Sequence, residues 1–445
     1  MSRTLIKNST LVNEGRVFKG SLVIKDQFIE EIVEGDSLPN GSFDRVIDGA
    51  NYYVLPGVID DHVHFRDPGL TQKGDILSES KAAAAGGVTS IMDMPNTNPQ
   101  TVTIKELENK WELMAEKSVV NYSCYFGATN KNYIDFKLLD KSKVCGIKLF
   151  MGASTGNMLV DRIKSLENIF NSTDLLIATH CENHNLIKEN TLFYKDLSTE
   201  EDLPIEYHPK IRSEQACFES TKLAVDLAKK FNAKLHVLHL STAKELELFT
   251  SGEIAEKKIT AEACISHLIY SDEDYESFDS LIKCNPSIKK GTDREALREA
   301  VNNDVIDLIA TDHAPHLLTD KEGGALKAAS GIPTIQFSLI NMLELVSEGV
   351  FSIEKVVHKM AHAPALLFNI DRRGFLRPGY FADFTLVERK KWKVSEEQVL
   401  SKCGWSPFTG KEFSWRVIHT FINGNHTFNN GVINSPKKGQ QLIFK

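Results

Sequence analysis

Two histidines separated by a single residue, His62 and His64, stand at the end of the apolar run Val54-Leu55-Pro56-Gly57-Val58-Ile59-Asp60. In an extended strand successive side chains point to opposite faces, so residues two apart project the same way and can grip one metal ion. An isolated His-x-His pair also arises by chance or sits satisfied in a core. What favours chelation here is its setting, with Arg66 and a Pro68-Gly69 turn directly after a buried-looking strand.

Further groups with metal chemistry stand at the ends of other short apolar runs: Lys148 in Gly146-Ile147-Lys148-Leu149-Phe150, His180 in Ala178-Thr179-His180-Cys181-Glu182, His239 in Val237-Leu238-His239-Leu240, and Asp312 in Ala310-Thr311-Asp312-His313. Four histidines and one aspartate form a hard-to-borderline ligand set suited to zinc. A lysine ammonium cannot coordinate a cation. Lys148 is therefore either a buried ion-pair partner, with Asp312 as the candidate, or a lysine carbamylated by carbon dioxide. The carbamate would present two oxygens and a negative charge able to bridge two ions.

These residues need a frame that brings strand ends together. From Val58 onward short apolar strands alternate with longer amphipathic stretches, the pattern of parallel strands joined by crossover helices. Eight strands are expected, ending near His62, Met94, Phe126, Phe150, His180, Leu240, Ala263 and Ala310. That number suits an α/β fold of the (β/α)8 type, whose active sites lie at the C-terminal strand ends. Residues 4 to 54 are β-rich, as in Ser21-Leu22-Val23-Ile24, and β texture returns in Gly374 to Val387. The expected organisation is a barrel over residues 56–368, flanked by residues 1–55 and 369–445 paired into one small composite β domain.

The 445-residue chain is 42% hydrophobic, enough for a large core. Its net charge of −8 is spread without a basic block, which argues against nucleic acid or an anionic membrane as partner. No segment approaches the ~20 apolar residues of a membrane span, and the first ten residues lack a secretory pattern, so a soluble cytoplasmic protein is expected. Seven cysteines without a Cys-x-x-Cys pair read as reduced core thiols. The expected partner is a small-molecule substrate, with homodimer formation left open.

Taken together these stretches resemble the cyclic amidohydrolases, and in detail the dihydroorotases whose bridging lysine is carbamylated. The resemblance runs through Asp61-His62-Val63-His64-Phe65-Arg66, Met94-Pro95-Asn96-Thr97-Asn98-Pro99, the Lys148 strand, His180-Cys181-Glu182, His239-Leu240-Ser241-Thr242, Cys284-Asn285-Pro286, Asp312-His313-Ala314-Pro315-His316 and Ser401 to Phe408. It implies two zinc ions: one held by His62, His64 and Asp312, the other by His180 and His239, both bridged by carbamylated Lys148 and a hydroxide. It also implies that Asp312 shuttles the proton. The implied reaction is the reversible cyclisation of N-carbamoyl-L-aspartate to L-dihydroorotate, a step of pyrimidine biosynthesis. Arg66, Asn96 and His316 would then form a carboxylate pocket, while Asn285 and the backbone around Gly331-Ile332-Pro333 hold the ring.

Several residues carry less weight. His313 reads as support for the site, His267 as structural, and His184 and His208 as exposed or hydrogen-bonded near the mouth, while His419 and His426 fall in the β layer. Cys181 lacks a separate histidine partner and reads as a packed thiol. Ala82-Ala83-Ala84-Ala85-Gly86-Gly87 reads as a helix end packed on the barrel. Leu317 to Gly331 departs from the resemblance in detail and is a candidate lid. Rival readings are allantoinase or dihydropyrimidinase, which would lack the carboxylate pocket, and an inactive dihydroorotase-like scaffold, for example one serving a transcarbamoylase.

Overall fold

The computed structural model describes residues 2–152, 158–434 and 438–445. Barrel strands 1 to 8 are Val58–Val63, Val88–Asp93, Asn121–Cys124 continuing as Phe126–Gly127, Ile147–Phe150, Ile177–His180, Leu235–Val237, Ile259–Cys264 and Leu308–Ala310. All are parallel to their neighbours. Apart from Ile259 every residue in them is buried, because helices and neighbouring strands cover both faces. That is why they read as continuous apolar runs rather than alternating ones.

The seam between strands 1 and 8 is closed by a parallel bridge from Val63 to His313, by the His64 amide donating to the His313 carbonyl at 2.8 Å, and by Thr311 Oγ1 donating to Asp60 Oδ2 at 2.6 Å. Strand 6 stops at Val237, three residues before the expected Leu240, because His239 adopts φ +40° and leaves the extended conformation. The helix after strand 1, Ile76–Ala85, starts at a reciprocal cap between Asp75 and Ser78 and ends in the alanine run as expected. Its small face matters at Gly86, where a Cβ would lie 2.7 Å from the carbonyl oxygens of Ile335 and Gln336.

Both ends of the chain enter one nine-stranded sheet. Tyr52–Pro56 pairs antiparallel with Phe384–Lys393, and this pairing joins Arg3–Asn13, Arg16–Lys25 and Phe28–Glu34 on one side to Glu412–Ile422 and Asn425–Asn429 on the other. The C-terminal β structure begins only at Phe384. The preceding Gly374 to Asp383 stretch turns instead, with Gly374 and Gly379 at φ +80° and +82° around Pro378. Among the described residues no helix is long and apolar enough to cross a membrane.

The sheet is locked to the barrel by a buried polar knot. Asp383 accepts from Arg373, from Asn121 Nδ2 on strand 3 at 3.0 Å and from the Asn423 amide at 2.6 Å. The Arg373 and Asp383 side chains are 3% and 2% exposed, so removing either partner leaves an uncompensated charge away from water. Asp383→Ala should lower unfolding stability by about 3–5 kcal/mol, read from urea denaturation; a loss below about 1 kcal/mol would refute this role for the pair.

Candidate metal centre

His62 and His64 leave strand 1 on one face, and their Nε2 atoms approach Asp312 Oδ1, past the end of strand 8, at 3.3 and 3.0 Å. The rings of His62 and His239 are 5.2 Å apart, and beyond them His180 Nδ1 lies 2.9 Å from His239 Nε2. The opposite edges of three of these rings are anchored. His62 Nδ1 meets Glu262 Oε1 at 2.9 Å, His64 Nδ1 meets Asn96 Oδ1 at 2.7 Å, and His180 Nε2 meets Glu182 Oε2 at 2.9 Å.

Those anchors decide the tautomers. Carboxylate and amide oxygens only accept, so the anchored nitrogen carries the proton and the inward nitrogen of a neutral imidazole carries a lone pair. The inward nitrogens of His62 and His64 both meet Asp312 Oδ1: burial disfavours the His62 imidazolium, yet Glu262 and Asp312 raise it, so a proton can hold this contact in the free protein and a metal ion would take its place. The ligand atoms of His62, His64 and Asp312 all lie within 4.8 Å of one another, which a shared metal ion fits. His180 presents Nδ1 in the same way, and His239, whose Nδ1 is buried without a partner among the described residues, presents Nε2.

Lys148 is 1% exposed on strand 4, with Nζ 4.6 Å from the Phe150 ring centre. Among the described residues no carboxylate lies within 4.0 Å of it, and Asp312 Oδ1 is committed to the two histidines. The ion pair with Asp312 is therefore not formed. Burial pushes the Lys148 ammonium down to about 8, against the pull of Asp312 and Glu262. Burial also acts to raise the Asp312 carboxyl, but His62, His64 and Lys148 outweigh it and hold it at about 2.

Beneath the histidines lies an acidic floor that sequence reasoning missed. Glu262 on strand 7 also faces His236 Nε2 at 3.7 Å, and Asp61 Oδ2 faces the same nitrogen at 3.5 Å. Burial disfavours the His236 imidazolium, yet these two carboxylates raise it to about 9. Glu182 is likewise paired, with His180 and Arg212. The available signal was a lone glutamate inside the apolar strand Ile259–Cys264, a place where an acid needs a partner.

One cavity of about 370 Å³ is lined by His62, His64, Arg66, Asn96, Lys148, His180, His239, Asn285, Asp312 and His316. The structure thus gathers every expected site residue. Arg66 is 8% exposed, at φ +66°, with Nε donating to the Pro315 carbonyl at 3.0 Å and Nη2 3.1 Å from His316 Nε2. Asn96 braces His64 as well as facing the pocket, and Asn285 Oδ1 is buried with no partner among the described residues. Burial, then Arg66, Lys73 and Lys321, drive the His316 imidazole down to about 2, the Ser330 carbonyl opposing.

The remaining candidates behave as structure. His313 joins Glu79 at 2.8 Å and accepts the Thr334 amide, and His267 donates to the Pro286 carbonyl. His208 is buried against the Cys284 carbonyl, His184 is exposed, and His419 and His426 meet edge to face within the sheet. Burial raises the Cys181 thiol to about 12. In the loop after strand 8, Lys321 donates to the carbonyls of Lys283, Ala329 and Gly331, which fastens residues 329–331 along the cavity wall.

A model of the Amidohydrolase family matches residues 53–427. The chain is 31% identical over 430 residues to a dihydroorotase of Methanosphaera stadtmanae, covering 96% of each, and 32% identical over 394 residues to one of Methanothermobacter thermautotrophicus, covering 87% of this chain and 86% of that one. Among solved structures, the L-hydantoinase (dihydropyrimidinase) from Arthrobacter aurescens superposes over 100% of both chains with a TM-score of 0.93 at 26% identity. The dihydropyrimidinase from Brevibacillus agri shares the fold, with a TM-score of 0.86 at 22% identity over 97% of this chain and 96% of that one.

The anchoring of His62 by Glu262 yields a test. Glu262→Leu keeps the volume but removes the acceptor, and should weaken metal binding by about 10- to 100-fold in a competitive chelator titration. Unchanged affinity would show that the contact does not orient the ligand.

Proposed function

The chain belongs to the amidohydrolase family, and from that premise we propose that it is a metal-dependent cyclic amide hydrolase interconverting N-carbamoyl-L-aspartate and L-dihydroorotate. The observation that carries this reading is Arg66. Its guanidinium is buried at the cavity wall, and among the described residues no carboxylate lies within 4.0 Å of it. A buried cation without an anion is costly, and a substrate carboxylate of matching planar geometry removes that cost. Hydantoin and dihydrouracil rings carry no such group and would leave Arg66 unpaired, so the hydantoinase likeness reflects scaffold and metal ligands.

In this reading His62, His64 and Asp312 would hold one zinc ion, and His180 and His239 the other. When bound, the metal pair supplies Lewis acidity, ionising water near neutral pH and polarising the amide carbonyl. Lys148, as free amine, adds to carbon dioxide with loss of one proton, and the resulting carbamate would span both ions. The absence of a carboxylate neighbour and an ammonium lowered to about 8 support that conversion. Asp312 takes the proton from the attacking water and delivers it to the ring nitrogen as the carbon–nitrogen bond breaks. In ring closure it withdraws the proton from the carbamoyl nitrogen while water departs. Arg66, Asn96 and His316 receive the exocyclic carboxylate, and the unpartnered Asn285 Oδ1 accepts from a ring N–H.

Purified protein should turn over dihydroorotate and N-carbamoyl-L-aspartate, with allantoin and dihydrouracil at least 100-fold poorer by kcat/KM; activity on allantoin alone would overturn the assignment. Lys148→Ala should lose at least one of two bound metals by elemental analysis, with partial return of activity on adding short carboxylic acids. Full metal content in that variant would remove carbamylation from the scheme.

A further inference from the structure

Lys73 lies on the loop between strand 1 and the helix Ile76–Ala85, outside the set of groups that face the metals. Its Nζ is 3.0 Å from His316 Nδ1 and 3.3 Å from Asp320 Oδ2. On the other edge of the same imidazole, Arg66 Nη2 is 3.1 Å from Nε2. Two groups that can only donate therefore face the two nitrogens of one ring, and a neutral imidazole has a lone pair for only one of them. Two acceptors also stand by the ring: Asp320 Oδ2, 3.6 Å from Nδ1 and beyond hydrogen-bond reach, and the Ser330 carbonyl, which the Nε2–H tautomer leaves free to accept from that edge.

We propose that the Lys73 ammonium is a positioning residue for substrate specificity: by donating to Nδ1 it fixes His316 as the Nε2–H tautomer, so that His316 and Arg66 present two converging donors to a carboxylate. The Nε2–H and the Arg66 Nη2–H then face each other across 3.1 Å. An anionic oxygen placed beside both satisfies both, whereas a neutral ring leaves two donors opposed. The backbone supports the arrangement, since Trp405 Nε1 donates to the His316 carbonyl at 2.8 Å and Arg66 Nε is tied to the adjacent Pro315 carbonyl. The ring is thereby held at the end of the carboxylate pocket while Lys73 selects its proton.

The inference rests on the carboxylate-bearing substrate proposed above, and the test separates the two. In Lys73→Met, KM for dihydroorotate should rise about 10- to 100-fold with kcat within about threefold, at unchanged metal content and melting temperature. Lys73→Arg, which keeps a donor-only cation, should recover most of that loss. Asp320→Asn, which removes the ion-pair partner of Lys73 but not its bond to His316, should leave KM within about threefold. An unchanged KM in Lys73→Met, a loss confined to kcat, or an equal defect in Asp320→Asn would each overturn the proposal. Independently of any substrate, nitrogen-15 NMR of the metal-loaded protein should report His316 as Nε2–H in the parent chain and as Nδ1–H in Lys73→Met, the resonance being assigned by its loss in His316→Asn. A parent ring protonated on Nδ1 overturns the tautomer argument even if dihydroorotate is turned over. Failure to turn over dihydroorotate with the Nε2–H tautomer present overturns the substrate reading alone.

Discussion

The architecture of this protein depends on imidazole edges that converge on one carboxylate across the barrel mouth. His62 and His64 turn their Nε2 atoms to Asp312 because Glu262 and Asn96 hold their other ring edges. Burial disfavours the His62 imidazolium, yet Glu262 and Asp312 raise it, so a proton can hold the contact in the free protein where a metal ion would displace it. The continuous parallel ladder with its sealed strand 1–8 seam keeps these groups in register. The acidic floor of Asp61 and Glu262 around the His236 imidazolium serves the same end, since it places the acceptor that fixes His62.

Backbone conformation follows the same logic. Arg66, His239 and Asp312 all occupy the left-handed region, at φ +66°, +40° and +47°. Non-glycine residues adopt it at a cost of order 1–3 kcal/mol each, and do so only where the surroundings over-determine them. Each stands just beyond a barrel strand, where leaving the extended conformation turns its side chain from the wall toward the mouth. Strand 6 ends early for this reason.

Charge is divided across the cavity. The side of the candidate metal ligands gathers three carboxylates and four imidazoles around Lys148, a buried amine with no carboxylate within 4.0 Å among the described residues. Its opposite side gathers donors, Arg66 with Lys73 behind His316. A ring amide bearing a carboxylate fits this division, the amide to the candidate metal ligands and the carboxylate to the donors. The same scaffold with a neutral far wall would serve a ring without a carboxylate.

Much of this was legible in the chain. The spacing His62-x-His64 implies two side chains on one face, the alternation of short apolar runs with amphipathic stretches implies parallel strands with crossover helices, and seven of the eight strands end within one residue of their expected positions. The residue types at those ends specify metal chemistry, and the type at Arg66 specifies an anion, because those properties belong to individual side chains. What the order of residues does not encode is relative orientation across the barrel. Glu262 stands 200 positions from His62, and His316 is 243 from Lys73. Only closure of the barrel brings those pairs into contact and so decides which nitrogen of each histidine carries a proton. Closure likewise decides that, among the described residues, no carboxylate comes within 4.0 Å of Lys148. The chemistry was written in the side chains; the tautomers, the strained turns and the unpaired cations are products of tertiary structure, because each depends on distances that local sequence does not set.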